Sequence, residues 1–189
     1  MTTLDIVGLC GCLRKASLNH AALRLARELM PPGMALDIVD WREVPVFDAD
    51  QLAQGLPPSV ALLRERMRRA DGVLIATPEY NFSIPGGLKN LLDWLSRGDD
   101  QPWAHKPVAI FSASPGPLGG ARVQYDLRKV MLFLNAAVLV KPEVFIGSAA
   151  AKFDAGGRCT DDTTRKFVAA QMVAFEQWIA GMARMRAGS

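Results

Sequence analysis

The sequence predicts an α/β fold: a three-layer, doubly wound sandwich on a five-stranded parallel sheet. Three observations carry this. Short apolar runs alternate along the chain with stretches of helical period. The runs are continuously apolar, as in strands buried on both faces, and lack the in-out alternation of a half-exposed antiparallel sheet. Five such strands alternate with five helices, and right-handed crossovers then place helices on both faces. The length of 189 residues suits a single domain, read here as 1–189, with no linker, repeat or low-complexity segment. A chain this size buries roughly 70% of its unfolded surface, so a core needs no staples.

The elements follow in order. Leu4–Cys10 reads as a buried strand, ending in the loop Gly11–Ser17. Leu18, Ala21, Ala22, Leu25, Ala26 and Leu29 share one helical face, and Pro31-Pro32-Gly33 stops that helix. Met34 to Asp40 is the second strand, and residues 41–57 are a long connection. A helix runs from Pro58 to Ala70 through Val60, Leu63 and Met67. Arg64, Arg66, Arg68 and Arg69 are expected outward, with Pro at the start and Gly72 past the end as punctuation. Val73–Thr77 is the third strand, and Pro85 opens a helix through Leu88, Leu91, Leu92 and Leu95. Lys106–Ser112 is the fourth strand, followed by a Gly/Pro loop and a helix from about Arg122 to Asn135. Ala137–Ile146 is the fifth strand, with a break expected around Pro142. After a loop to Cys159, Thr160 is expected to cap the last helix, with Asp161 and Asp162 in its first turn. Phe167, Met172, Phe175, Ile179 and Met182 form its apolar stripe.

Composition narrows the function classes. Hydrophobic residues at 50% and charged residues at 22% describe an ordinary globular chain. No apolar run approaches the ~20 residues of a membrane span, and the start lacks a signal-peptide pattern. The net charge of +3 is scattered, without the basic stripe and interleaved aromatics of a nucleic-acid binder. Cys10, Cys12 and Cys159 form no zinc-ligand spacing and read as reduced thiols of a cytoplasmic protein. His20 and His105 have no visible catalytic partner and read as structural.

In an open α/β sheet ligands sit beyond the carboxyl ends of the strands, where strand order reverses. Loops after residues 10, 77 and 113 meet there. Gly11-Cys12-Leu13-Arg14-Lys15-Ala16-Ser17-Leu18-Asn19 ends at a helix N-terminus suited to a phosphate, with Arg14 able to add a charge-assisted bond. Ser17 serves equally as a plain N-cap. The loop lacks both G-x-G-x-x-G and G-x-x-x-x-G-K-[ST], which favours a monoester over a pyrophosphate. Pro78-Glu79-Tyr80-Asn81 opens a stiff polar and aromatic loop able to present backbone N–H groups to a flat heterocycle. Ser114-Pro-Gly116-Pro-Leu-Gly-Gly120 allows close backbone approach to a ligand.

At these residues the sequence resembles the NAD(P)H-dependent FMN reductases of flavodoxin-like fold, close to quinone, chromate and azo reductases. The first loop is similar to that family's G-S-x-R-x-x-S-x-N. Pro78-Glu-Tyr-Asn-Phe-Ser-Ile-Pro-Gly-Gly-Leu-Lys-Asn90 with Asp93-Trp94 resembles its most specific motif.

The resemblance implies strand order 2-1-3-4-5 and bound FMN. The loop from Gly11 through Cys12 and Leu13 to Leu18 would hold the FMN phosphate, with Arg14, Ser17 and Asn19 as side-chain ligands. Pro78, Glu79, Tyr80 and Asn81 would line the ring, and Ser114 and Gly116 would close the other side. It implies an enzyme taking hydride from NAD(P)H onto FMN and reducing quinones, azo dyes, chromate or flavin by a ping-pong mechanism, the chemistry being the cofactor's. The alternative is a flavodoxin-type electron carrier without NAD(P)H turnover. A homodimer or homotetramer is implied, with Arg122, Tyr125 and Glu143 similar to interface positions; solvated surface is the alternative for these three. Cys12 departs from the family's usual Ser, and reads either as passive or as an oxidisable thiol near Arg14.

Overall fold

The computed structural model describes residues 3–188. It contains β1 (Leu4–Cys10), α1 (Leu18–Glu28), β2 (Met34–Ile38), α2 (Ala49–Ala53), α3 (Pro58–Arg69), β3 (Gly72–Thr77) and α4 (Gly86–Leu95). Then follow β4 (Pro107–Ala113), α5 (Ala121–Phe133), β5 (Ala137–Val138), β6 (Val144–Ile146) and α6 (Asp162–Ala187). The sheet is parallel in the order β2-β1-β3-β4-β5, as the family resemblance implies, with β6 also on β4.

The fifth strand is two short pieces. β5 pairs with Pro107 and Val108, β6 with Phe111 to Ala113, and the intervening chain turns through a cis Lys141–Pro142 bond. The break expected at Pro142 is therefore complete, since proline cannot donate to the ladder.

Neighbouring residues of each strand serve opposite cores. Ile6, Leu74 and Phe111 face α1 and α6; Val7, Val73, Ile75 and Ile110 face α3, α4 and α5. This two-sided burial is why the strands lack alternation. α1 begins where Ser17 Oγ accepts from His20 N–H at 3.2 Å, and it buries Ala21, Ala22, Leu23, Leu25 and Ala26. A capping bond of this kind contributes about 1 kcal/mol.

Several expectations need correction. The 41–57 connection contains the short α2, capped by Asp48. Arg64 is not outward: its side chain is 4% exposed, donating to Arg97 O at 2.6 Å and to Asp100 at 2.6 Å. Arg66 bridges Asp5 and Asp37, which helical period alone does not reveal. Gly72 opens β3 instead of merely ending α3. Asp161, not Thr160, caps α6, accepting from Thr164 N–H at 2.7 Å. On α6, Phe167 is exposed and Met182 only half-buried; Val168 joins Met172, Phe175 and Ile179 in the core. The stripe holds at Met172, Phe175 and Ile179 and departs only at its two ends.

Candidate functional site

Three loops converge beyond the carboxyl ends of β1, β3 and β4. The first two touch because Gly11 has no side chain: a Cβ there would lie 2.4 Å from Thr77 Oγ1. Gly11 N–H donates to Ala76 O at 2.8 Å, and Trp41 Nε1 donates to Cys10 O at 3.0 Å, fixing where the first loop leaves the sheet. Thr77, fully buried, donates its hydroxyl to Pro78 O at 3.0 Å and begins the second loop.

In the first loop no protein carbonyl among the described residues accepts from the N–H groups of Cys12, Leu13, Lys15 or Ala16. Leu13 is 39% exposed and its carbonyl accepts from Arg42. Arg14 is exposed and forms no ion pair with a carboxylate among the described residues. The Cys12 sulfur lies among the loop's donors, 3.4 Å from the Tyr80 hydroxyl. Burial raises its pKa, but hydrogen bonds from the Tyr80 and Ser17 hydroxyls and from Arg14 outweigh it, and the thiol is net lowered. Cys10, buried deeper, is raised. A group of donors able to favour a thiolate suits a phosphate monoester equally well.

Asn19 has a different position from the one its motif implies. It is 3% exposed, its Nδ2 donating to Ala113 O at 2.9 Å and its Oδ1 accepting from Ala113 N–H at 2.8 Å. It ties α1 to the end of β4. Leu18 packs partly buried against the same core.

The second loop is a two-residue hairpin. Tyr80 and Ser83 exchange N–H···O bonds of 3.1 and 3.0 Å around Asn81 and Phe82, at φ +49° and +68°. This is the type I′ pattern, unfavourable for a residue with a bulky side chain. Pro78 is buried, while Tyr80 is 49% and Phe82 66% exposed. Glu79 turns away from the hairpin toward α5. Oε1 accepts from Arg122 Nε at 2.6 Å and Oε2 from Arg122 N–H at 3.1 Å, so the carboxylate caps a helix that has no capping side chain of its own. The Arg122 guanidinium also lies 3.7 Å above the Phe82 ring.

The third loop is held from beneath. Ser114 N–H donates to Ile146 O, and Ser114 O accepts from Ala149 N–H, both at 3.0 Å; Gly116 O accepts from Ser148 N–H at 3.0 Å. Ser112 Oγ donates to Gly119 O at 2.6 Å and accepts from Gln124 Nε2 at 2.8 Å, both side chains being fully buried.

The structure thus brings together the Gly11–Ser17, Pro78–Asn81 and Ser114–Gly116 segments. Thr77, Phe82 and Gln124 were missed by sequence reasoning. The asparagine at 81 is a usable turn signal, whereas Phe82 in a left-handed conformation has none. Arg122 pairs with Glu79, while Glu143 pairs with Lys141 at 2.5 Å, which with the Tyr125 hydroxyl holds its carboxyl below the ordinary range against burial. Tyr125 is 51% exposed. His20 Nδ1 lies 2.7 Å from Arg24 Nη1, and His105 N–H donates to Asn135 O, so both histidines have structural contacts.

Residues 4–151 match the family described as NADPH-dependent FMN reductase. The chain is 46% identical over 176 residues to an NAD(P)H-dependent FMN reductase of Pseudomonas aeruginosa, covering 93% of this chain and 95% of that protein. It is 45% identical over 179 residues to a quinone reductase of Escherichia coli, with the same coverage. Among solved structures, the flavoenzyme NAD(P)H:(acceptor) oxidoreductase FerB of Paracoccus denitrificans superposes with a TM-score of 0.87 at 34% identity. That match covers 95% of this chain and 99% of FerB.

Proposed function

The chain belongs to the NADPH-dependent FMN reductase family, and from that premise we infer that it passes electrons from NAD(P)H through bound FMN to quinones and similar small acceptors. The observation that supports the site assignment is the set of donors in and beside the first loop: Tyr80, Ser17 and Arg14 gathered on the Cys12 sulfur, and the N–H groups of Cys12, Leu13, Lys15 and Ala16 with no protein acceptor among the described residues. FMN held by these loops would supply the redox chemistry, hydride acceptance and electron donation.

The chain's own residues bind and orient. The N–H groups of Cys12, Leu13, Lys15 and Ala16, with the Arg14 side chain and the Ser17 hydroxyl, hold the phosphate. Gly11 keeps that loop against Thr77, and Asn19 keeps it against β4, so Asn19 is a positioning residue in this reading. Leu18 seals the loop's underside. The backbone of Pro78, Glu79, Tyr80 and Asn81 lines one side of the ring, and Ser114 and Gly116 line the other. The Tyr80–Ser83 hydrogen bonds fix the loop after β3, so whatever donors it presents would meet the ring without reorganising. The domain is one unit, so NAD(P)H and acceptor share one face in turn and the kinetics are ping-pong. Azo dyes and chromate belong to the proposed acceptor range.

The assembly is a homodimer or homotetramer. Exposed Phe82, Leu118, Tyr125 and Phe167 supply apolar area near Arg122 and Glu143, and large exposed apolar patches mark interfaces. No helix among the described residues is long and apolar enough to cross a membrane, which fits a cytoplasmic enzyme. Light scattering after size exclusion tests the assembly; a strict monomer overturns it. The activity is tested by loading FMN, bleaching it anaerobically with NADPH or NADH, and restoring the colour with a quinone. A protein that refuses FMN overturns the reading.

A further inference from the structure

A cavity of about 500 Å³ lies where the end of the first loop and α1 meet the segment before α6. It is bounded by Lys15 to Leu18, by Ala21 and Arg24 of α1, and by the Phe153–Gly157 segment before α6. Arg24 is half-buried at its wall. Nη1 is held by His20 Nδ1, and the other terminal nitrogen lies so close to Gly157 that a Cβ there would come within 2.2 Å. Gly157 also has φ +77°, so both the backbone and the guanidinium require glycine.

The charges in this cavity are unbalanced. Its single acid is Asp154, whose two oxygens accept from Arg158 N–H and Arg158 Nε, each at 2.9 Å. Neither Lys15 nor Arg24 has a carboxylate partner among the described residues. The neighbour that does hold Arg24 is the His20 imidazole, which adds no negative charge in either protonation state. A guanidinium fixed in direction, beside a lysine and a cavity large enough for an organic phosphate, fits a dianionic monoester.

We propose that this Lys15–Arg24–Gly157 cavity receives the 2′-phosphate of NADPH, making Arg24 the residue that separates NADPH from NADH. The inference rests on the reductase reading above. The two co-substrates differ only in that phosphate, and the cavity shares the Lys15–Leu18 wall with the FMN phosphate loop.

The test uses the FMN-loaded protein and two probes, 2′,5′-ADP and 5′-AMP, titrated by calorimetry, with steady-state kinetics on both co-substrates. Wild type is expected to bind 2′,5′-ADP at least about tenfold more tightly than 5′-AMP. R24Q is expected to erase that difference and to lower the NADPH/NADH ratio of kcat/KM about tenfold or more, with NADH values unchanged; R24K retains part of the preference. Ala155→Glu, which adds a carboxylate at an exposed position of the cavity while leaving the Arg24–His20 contact in place, lowers the same ratio. An unchanged ratio in R24Q and Ala155→Glu overturns the proposal. Parallel loss of NADPH, NADH and FMN affinity also overturns it, because the cavity then serves the flavin phosphate or the fold. A wild-type protein inactive with both co-substrates refutes the reductase reading instead, and the 2′,5′-ADP titration still decides the cavity.

Discussion

Glu79 and Arg122 join two loops of the site through one carboxylate. The acid leaves the loop after β3, caps α5 and pairs with an arginine that covers the Phe82 ring. Its side chain is only 7% exposed, against 46% for Arg122. A buried carboxylate at a helix start gains from the backbone dipole as well as from its partner. Glu79→Gln keeps the shape and removes the charge, and is expected to cost about 1–2 kcal/mol in urea unfolding. An unchanged urea midpoint would show that the pair is decorative.

The Asn81–Phe82 turn offers a sharper contrast. Asparagine tolerates a left-handed backbone, whereas a β-branched residue does not. Asn81→Gly is expected to leave FMN affinity intact. Asn81→Val is expected to weaken it about tenfold, corresponding to about 1.4 kcal/mol. Fluorescence titration with FMN reads both, and equal affinities would refute a role for the turn's shape.

Asn19 is expected to act on the fold more than on the cofactor. Asn19→Leu orphans the Ala113 N–H and C=O in a buried place, at a cost of about 2–4 kcal/mol. Thermal unfolding of apoprotein and FMN-loaded protein should fall by similar amounts. A loss confined to the loaded form would make Asn19 a direct phosphate ligand.

Cys12 should be the thiol that reacts first. Its pKa is lowered on balance, whereas burial raises those of Cys10 and Cys159. Iodoacetamide labelling followed by peptide mass spectrometry is expected to modify Cys12 at a lower pH than the other two, and FMN should protect it. Labelling at equal rates with and without FMN would place the sulfur outside the pocket.

His20 should give stability a pH dependence. Burial, then Arg24, Arg27 and Arg42, lowers its pKa from the ordinary value near 6.5. Below that value the unfolded chain takes up a proton that the folded chain resists. The contribution is therefore present above pH about 6.5 and fades as pH falls toward the folded pKa. His20→Gln is expected to flatten the difference in urea stability between pH 7.5 and 5.5, and an unaltered slope would assign it to other groups.

How much of this was legible in the sequence follows from what each element answers to. β1, β3 and β4 are buried on both faces, so composition alone marks them. Their order needed the family resemblance, because apolar runs do not name their neighbours. Arg64 looked like surface because its partners, Arg97 O and Asp100, lie 33 and 36 residues away. Asp161 and Thr160 are both good caps, and only backbone geometry chooses between them. In the candidate site, the sequence names three loops that the fold brings to one end of the sheet, while the partners of the side chains inside them are not legible. Glu79 and Asn19 spend their side chains on α5 and β4, contacts that no local spacing encodes.

The Ser112–Gln124 anchor has a consequence for how such a protein can diverge. It secures Gly119 and Gly120 from inside, whereas Pro115 to Leu118 face outward. The exposed rim has its own tie, the bond from Ser148 N–H to Gly116 O, and does not draw on that anchor. Mutation can redraw the exposed side chains of Pro115, Pro117 and Leu118 while the buried seat beneath keeps its shape.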